Sequence, residues 1–305
     1  MIAAADLSRG AAASAPSPAR VLLAGLATLG RRTPALPRLP DALLVRRDVA
    51  IDADTVAAYR TLCGYIPEQG VPPAFAHLIA FPLHLRLMMA RGFPYPLAGL
   101  VHIANRIVQH APLAAGDRID LGVRAGGWRK HPRGQAFTIE ASGVRDGAVV
   151  WASESTYLRL GVHDQRGPAV AAPPGDPARM TPVCAIPVPR SVARDYARLS
   201  GDRNPIHMSW LGARLFGFPR PIAHGMWTKG RALAGLLLPG GPDALTIDVA
   251  FRAPILLPGR VALTARVEQG ATDFAVTAPG GERLHLLGRI APGTSPSSFR
   301  EADHA

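Results

Sequence analysis

Two stretches of the chain carry apolar residues at helical spacing on nearly all faces, over residues 78–89 and 225–238. A helix that is apolar almost all round is a buried helix. Each stretch is opened by a similar segment that ends in histidine, Pro73-Ala-Phe-Ala-His77 in the first half and Pro221-Ile-Ala-His224 in the second. The pattern therefore predicts two buried central helices at corresponding places in the two halves.

Alternating apolar and polar residues follow each predicted helix. Such period-two patterns separated by short turns, for example Arg145-Asp146-Gly147, are typical of antiparallel strands. The predicted strands cover residues 100–108, 119–124, 135–144 and 149–160 in the first half, and 245–252, 261–268, 274–278 and 284–290 in the second. The chain thus repeats one helix-then-sheet unit. One buried helix wrapped by a curved antiparallel sheet is the hotdog architecture, so the predicted fold is α+β, a double hotdog.

Stretches without periodicity mark the ends of the two units. A segment rich in Pro, Ala and Gly lies between the halves and reads as a linker. The predicted organisation is a mostly disordered tail over 1–40 with one short helix near 19–30, a first hotdog over 41–165, a linker over 166–182, a second hotdog over 183–292, and a C-terminal tail over 293–305.

The loop before the second central helix carries the strongest chemical signal. Residues 191–199 have the spacing of a short helix that Gly201 ends, and Asn204-Pro205 disfavours helix at Asn204, which predicts a loop from Asp202 to His207. A carboxylate and an imidazole five residues apart across this turn can converge on one water molecule. Loops braced by helices are common places for catalytic residues.

The pair His224-Gly225 then opens the second buried helix. The first N–H groups of a helix have no partner within it and can hold a developing negative charge. Together with Asp202 and His207, this arrangement points to the addition or removal of water at an acyl thioester. Taken singly, Asp202 and Asn204 are ordinary turn residues, and His224 suits a buried core position; the hypothesis rests on their occurrence in one ordered string.

That string, Asp202-Arg-Asn-Pro-Ile-His207 with the flanking Tyr196, Gly201 and Gly225-Met226, resembles the hydratase motif of the MaoC-like dehydratases, which include the (R)-specific enoyl-CoA hydratases. The close match covers about residues 190–230. The first half, over residues 59–160, resembles the degenerate partner half of double-hotdog 3-hydroxyacyl-thioester dehydratases.

The resemblance implies a role for each residue that matches the motif. Asp202 and His207 would be the catalytic pair, Asn204 would orient them, and the N–H of Gly225 would form the oxyanion hole. The remaining motif residues are expected to contact substrate: Pro205, His224 and Met226. The motif often has Asp two places after the histidine, where this chain has Ser209.

The first half has no Asp-x-Asn-Pro-x-His loop, so one active site per chain is expected. The first half would then supply sheet, a wall of the acyl pocket and some contacts to the thioester carrier.

Composition narrows the partners. The net charge is +12, but the arginines are scattered along the chain, which does not favour nucleic acid binding. Arginine also suits the phosphates of coenzyme A or of an acyl carrier protein, and the candidates for such contacts are Arg106, Lys229, Arg231 and Arg252. No apolar run reaches the roughly 18–20 residues of a membrane span, and the two cysteines, Cys63 and Cys184, fit a cytoplasmic setting.

No metal or redox cofactor is predicted, because the chain lacks a glycine-rich nucleotide loop and any His/Cys cluster with ligand spacing. Two alternatives stay open. A hotdog thioesterase would need a carboxylate near the central helix, and none lies between His224 and Leu238; a non-catalytic acyl-binding subunit would not need the Asp202/His207 pair. Acyl chain length, coenzyme A against carrier protein, the physiological direction, and monomer against homodimer are also open.

Overall fold

The computed structural model describes residues 1–28, 30–31, 33–34, 37–162 and 166–293. The helices in these ranges are α1 (Ala4–Leu7), α2 (Pro18–Thr28), α3 (Ala53–Cys63), α4 (Phe75–Met89), α5 (Val192–Ser200), α6 (Pro205–Met208), α7 (Trp210–Leu215) and α8 (Gly225–Ala234). The strands are β1 (Ala11–Ala12), β2 (Leu44–Ala50), β3 (Leu100–Gln109), β4 (Arg118–His131), β5 (Gly134–Arg145), β6 (Ala148–Leu160), β7 (Thr181–Val188), β8 (Leu245–Phe251), β9 (Gly259–Glu268), β10 (Ala271–Thr277) and β11 (Leu284–Pro292). None of the described helices is both long enough and apolar enough to cross a membrane.

All of these strands form one sheet, in the order β1-β2-β4-β5-β6-β3-β8-β11-β10-β9-β7. The order within the first half, β2-β4-β5-β6-β3, is mirrored by β8-β11-β10-β9-β7 in the second. The halves meet where β3 and β8 pair in antiparallel fashion, with Ala104 opposite Ala250 and Gln109 opposite Leu245. This pairing, which we call the seam, removes the sheet edge that each half would otherwise expose.

Each predicted strand is present, and the predicted turn between β5 and β6 forms as expected. Asp146 and Gly147 both have positive φ, 52° and 76°. A two-residue hairpin turn with positive φ at both positions suits the right-handed twist of the flanking strands. The alternation of the sequence therefore located the sheet correctly.

The two central helices form where they were predicted, with different ends. α4 begins at Phe75 and packs against β4 and β5. α8 ends at Ala234 rather than at residue 238. The N–H groups of Gly235 and Leu236 bond to the carbonyls three residues back, those of Ala232 and Leu233, and this tighter turn closes the helix. Leu238 is then 78% exposed, so the predicted helix was too long.

One of the missed strands lies at an edge of the sheet. β7 lies at one end of the sheet and contains Pro182 and Pro187, which lack an N–H for the strand ladder. Prolines are tolerated at such an edge. β7 begins at Thr181, inside the stretch expected to be linker, so that boundary was placed too late.

The first residues of the chain differ from the expected disordered tail. Ile2 and Leu7 are buried and form a small core with Val45 and Val144, and Leu7 lies over Gly122 of β4. β1 extends the sheet by pairing parallel to β2. These apolar contacts cover a surface of the sheet that would otherwise be open to water. α2 agrees with the predicted short helix, whereas the C-terminal tail beyond residue 293 lies outside the described residues.

Candidate active site

The loop between α5 and α6 is held by hydrogen bonds from its own side chains. Gly201 ends α5 with a φ of 76°, a left-handed conformation that favours glycine. The Asn204 N–H then donates to Asp202 Oδ1 (3.2 Å), and the Ile206 N–H donates to Asn204 Oδ1 (3.3 Å). Asn204 thus caps α6, which begins at Pro205, a residue favoured at the first helical position. His207 therefore lies on a one-turn helix rather than on the predicted open loop.

The proton on His207 is placed by a backbone carbonyl. Its Nδ1 is 2.8 Å from the Ile222 oxygen, and because a carbonyl only accepts, Nδ1 is the protonated nitrogen. Nε2 is left with a free lone pair. Burial lowers the pKa of His207, while the Asp202 charge and the bond to Ile222 act in the opposite direction. A neutral imidazole with a fixed tautomer is suited to accept a proton from water.

His224 contacts both His207 and Asp202. Its ring stacks on that of His207, with 3.7 Å between the ring centroids, and the Tyr196 ring lies 4.8 Å away. His224 Nε2 donates to the Asp202 carbonyl (3.1 Å) and lies 3.8 Å from Asp202 Oδ2. Burial, followed by the neighbouring His207, lowers the pKa of His224 well below its usual value. The structure thus brings the three side chains of Asp202, His207 and His224 together.

Gly225 begins α8, with His224 as the N-cap residue. A Cβ atom at Gly225 would lie 3.0–3.2 Å from three ring atoms of Phe251 on β8, which is closer than side chains normally approach. Glycine therefore fits here because of the Phe251 ring, a contact that the sequence pattern did not reveal. The N–H groups of this first helical turn have no partner within α8.

The other residues expected near substrate differ in accessibility. Pro205 is exposed beside the Asp202 loop. Met226 is only 5% exposed and belongs to the main apolar core. Of the two, Pro205 is the one placed at the protein surface.

Asp202, His207 and His224 also form a group that could hold a metal ion, since one ligand atom from each lies within 4.8 Å of the other two. The sequence spacing did not indicate this group because His224 comes from a separate segment. A metal-free site remains the prediction made from the sequence.

Lys229 was wrongly assigned as a candidate for phosphate contact. It is fully buried on α8, and its Nζ donates to Asn105 Oδ1 (2.6 Å) and to the carbonyls of Asn105 and Ile247 (3.4 and 3.3 Å). Arg106, another candidate, is exposed and pairs with Asp248 across the seam at 3.2 Å. The sequence around Lys229 does not show that the fold places the oxygens of Asn105 and Ile247 next to its amine.

The chain is similar in sequence to proteins of one known family. The family model described as "MaoC like domain" matches residues 171–278. The chain is 31% identical to 3-hydroxyacyl-thioester dehydratase X of Mycobacterium tuberculosis over 264 residues, covering 84% of this chain and 92% of that protein. The chain belongs to the MaoC-like dehydratase family. The resemblance inferred from the Asp202 to Met226 string is thereby confirmed, and the family places the chain among hydro-lyases.

Other MaoC-like relatives and solved structures support the same family and fold. Enoyl-CoA hydratase ChsH3 of M. tuberculosis is 30% identical, over 72% of this chain and 80% of that protein. The crystal structure of M. tuberculosis HtdX superposes with a TM-score of 0.71 at 29% identity, covering 82% of this chain and 99% of that one. An M. tuberculosis protein described as having a double hotdog fold superposes with a TM-score of 0.52 at 15% identity, over 81% of this chain and 95% of that one. The predicted double hotdog is confirmed.

Proposed function

We propose that this chain catalyses the reversible hydration of trans-2-enoyl thioesters, which is equivalent to the dehydration of (3R)-hydroxyacyl thioesters. The observation that carries the proposal is the convergence of the Asp202 carboxylate and the His207 imidazole beside the first turn of α8. Acyl-thioester chemistry is also in the names of the MaoC-like relatives, as dehydratases and enoyl-CoA hydratases.

The chemistry begins with one water held between Asp202 and His207 Nε2. As the water oxygen forms its bond to C3 of the enoyl group, the pair takes one proton from it, and the C2=C3 electrons move toward the thioester carbonyl. The proton then goes to C2 from the same face, which regenerates the pair. General acid–base catalysis of this kind contributes typically about 10²–10⁴ in rate.

The negative charge that reaches the thioester oxygen needs a partner at the same moment. The N–H of Gly225 would donate to it, helped by the positive end of the α8 dipole. Loss of one such donor in other enzymes costs roughly 10²–10³ in kcat. The glycine lets the substrate oxygen approach the backbone closely.

The proposal extends to the setting of the reaction. The acyl group is carried by coenzyme A or an acyl carrier protein, in fatty-acid metabolism, without a metal or redox cofactor. A cytoplasmic location is supported by the two cysteines, both free. The quaternary state is a monomer or a homodimer, since each chain already contains both hotdog halves.

The test is an assay of the wild-type protein with crotonyl-CoA and with a longer trans-2-enoyl-CoA. Loss of the enoyl-thioester absorbance, with a (3R)-hydroxyacyl product by chiral analysis, is the expected result. Release of free thiol without loss of the double bond would mean a thioesterase and would overturn the proposal. The same assay with an enoyl group attached to an acyl carrier protein would detect an enzyme that accepts only carrier-linked substrates.

A further inference from the structure

A second group of titratable side chains lies inside the first half, close to the active site. His77 and His84 are on α4, His102 is on β3, and Tyr157 is on β6. The His77 ring centroid is 5.2 Å from that of His84 and 5.9 Å from that of His102, and the His102 ring stacks on Tyr157 at 4.7 Å. We call these four residues the histidine cluster.

Most of the polar atoms in the histidine cluster have no partner. His84 Nδ1 is 3.3 Å from the Tyr157 hydroxyl. Both nitrogens of His77, Nε2 of His84 and Nε2 of His102 are buried without a hydrogen bond to any residue that the structure describes. Buried polar atoms are nearly always hydrogen-bonded, because leaving them unpaired costs stability. Four such atoms in one place leave hydrogen-bonding capacity that a polar group bound there would satisfy.

The charge state of the cluster limits what that group can be. Burial lowers the pKa of His84 and of His102 to about 3, and it lowers the pKa of His77 well below the usual value. Neutral imidazoles offer one donor and one acceptor each and carry no charge to attract an anion. They match a hydroxyl or carbonyl oxygen rather than a phosphate or carboxylate.

One side chain separates the cluster from the oxyanion glycine. The His102 ring centroid is 5.2 Å from that of Phe251, and Phe251 is the residue whose ring packs directly against Gly225. Asp202 also acts on the cluster: after burial, its charge is the next cause of the raised pKa of Tyr157. An acyl chain whose thioester lies at Gly225 therefore has the histidine cluster within the length of its tail.

We propose that the histidine cluster binds an oxygen-bearing group of the acyl chain, so that the substrates are enoyl thioesters with a hydroxyl or keto group beyond C4. This inference rests on the proposed hydration activity, since it names the substrate class of that same site. His77, whose two ring nitrogens are unpaired among the described residues, contributes hydrogen bonds that are made only when such a substrate is bound.

The kinetic test compares trans-2-decenoyl-CoA with analogues that carry one hydroxyl group at successive carbons beyond C4. The wild-type protein is expected to prefer at least one analogue by about tenfold in kcat/KM, the effect of one additional hydrogen bond to an otherwise unpaired group. His77→Leu keeps a similar volume and breaks no side-chain hydrogen bond within the described part of the chain, so it should fold and should lose this preference. Phe81→Leu is the matched control, because Phe81 contacts His77 (6.1 Å between centroids) without offering a polar atom, and the preference should survive there.

Two kinetic results would overturn the inference. One is that no hydroxylated analogue is preferred over the plain chain by the wild-type protein. The other is a preference that persists in His77→Leu, because the polar group would then be bound elsewhere.

A second measurement is independent of catalysis and of any variant. In the wild-type protein labelled with nitrogen-15 at the histidine rings, a saturated hydroxyacyl-CoA of the preferred pattern should shift the ring signals of His77 and His102 more than unsubstituted decanoyl-CoA does. Equal shifts with both ligands would mean that the cluster holds only internal water. Selective shifts without any hydration activity would support binding at the histidine cluster and reject the hydration proposal. Hydration activity without selective shifts would support the hydration proposal and reject binding at the cluster.

Discussion

At the scale of single residues, the candidate site combines local and distant contacts. Asp202, Asn204 and His207 were predicted from one ordered string, and the bonds from Asn204 and Ile206 N–H groups that shape the loop are local to it. The Ile222 carbonyl that fixes the His207 tautomer comes from fifteen residues away. No periodicity or spacing encodes a contact of that kind, so the residues of the site were predictable from the sequence while its protonation pattern was not.

The half-buried position of His207 predicts the pH dependence of hydration. A base works in its unprotonated form, and burial lowers the pKa of His207 below the ordinary value of 6.5. We expect kcat/KM to stay level as the pH falls through 6.5 and to decline only at lower pH, in a stopped-flow or absorbance assay across that range. An acid limb with its midpoint at or above 6.5 would contradict a neutral His207 imidazole with a lowered pKa.

Gly225 offers a test of close approach at the oxyanion position. In Gly225→Ala the new methyl group would meet the Phe251 ring at about the 3.0–3.2 Å separation given above, so the start of α8 must shift. We expect kcat to fall by roughly 10²-fold, the effect of losing one oxyanion donor, with a smaller change in KM. Gly92→Ala is the control, since nothing lies within 4 Å of a Cβ atom there; equal losses in both variants would disprove the role of Gly225.

At the scale of elements, alternation and helical spacing located the central helices and most strands because burial on one face, or on all faces, leaves a period in the sequence. Strands at or near the two ends of the sheet leave a weaker period. β7 carries two prolines and β2 has only two buried residues, so neither was predicted. α3 was also missed, although Asp52 caps it through the Thr55 N–H and Gly64 ends it.

The seam between the halves depends on a buried polar contact that can be tested by denaturation. Asn105 on β3 accepts from Lys229 on α8 and donates to the hydroxyls of Ser153 and Ser155. Asn105→Ala leaves the buried amine without its shortest partner, so the free energy of unfolding should fall by roughly 1–3 kcal/mol in urea titrations.

The Lys229→Met change in the Asn105→Ala background should restore part of that loss, because it removes a buried amine that has lost its shortest acceptor and keeps only two longer bonds to carbonyls. Gln109→Ala is a matched control on the same strand: Gln109 makes one bond, to the Asp243 carbonyl (3.0 Å), and its loss should cost about 1 kcal/mol. A double variant no more stable than Asn105→Ala alone would show that Lys229 does not depend on Asn105.

At the scale of the whole molecule, the two hotdog halves have different tasks. The second half carries Asp202 and His207, and the first half pairs with it along the seam and brings the buried His77 and His84 and the half-buried His102 to the back of the site. The duplication was visible in the sequence. The lack of hydrogen-bond partners for the His77 nitrogens and for His84 Nε2 among the described residues was not visible. A histidine on an apolar helix has the same spacing in the sequence whether its nitrogens are paired or free.

Five histidines whose pKa is lowered in the folded protein predict acid sensitivity of the fold. For His77, His84, His102, His207 and His224 the folded pKa lies below the unfolded value of about 6.5, so the unfolded state binds more protons below that pH. The free energy of unfolding therefore rises with pH below about 6.5. On acidification from about 6.5 toward the pKa values of the folded protein, it falls by about 1.4 kcal/mol per pH unit for each histidine that stays neutral in the folded state.

Urea midpoints measured between pH 7 and pH 4 would check this slope. His77→Leu removes one of the five groups and should flatten the pH dependence by the contribution of one histidine. Parallel curves for the wild type and the variant would mean that His77 is protonated in the folded protein as readily as in the unfolded one.

The most direct test of water addition by the Asp202/His207 pair is the hydration rate of Asp202→Asn. The amide oxygen of asparagine can still accept the Asn204 N–H, so the loop should keep its shape while the carboxylate is lost. We predict that kcat falls by about 10²–10⁴ with an unchanged circular dichroism spectrum, whereas Asp195→Asn, which alters only a surface pair with Arg198, stays close to wild type. An Asp202→Asn variant that hydrates enoyl-CoA at the wild-type rate would contradict the account.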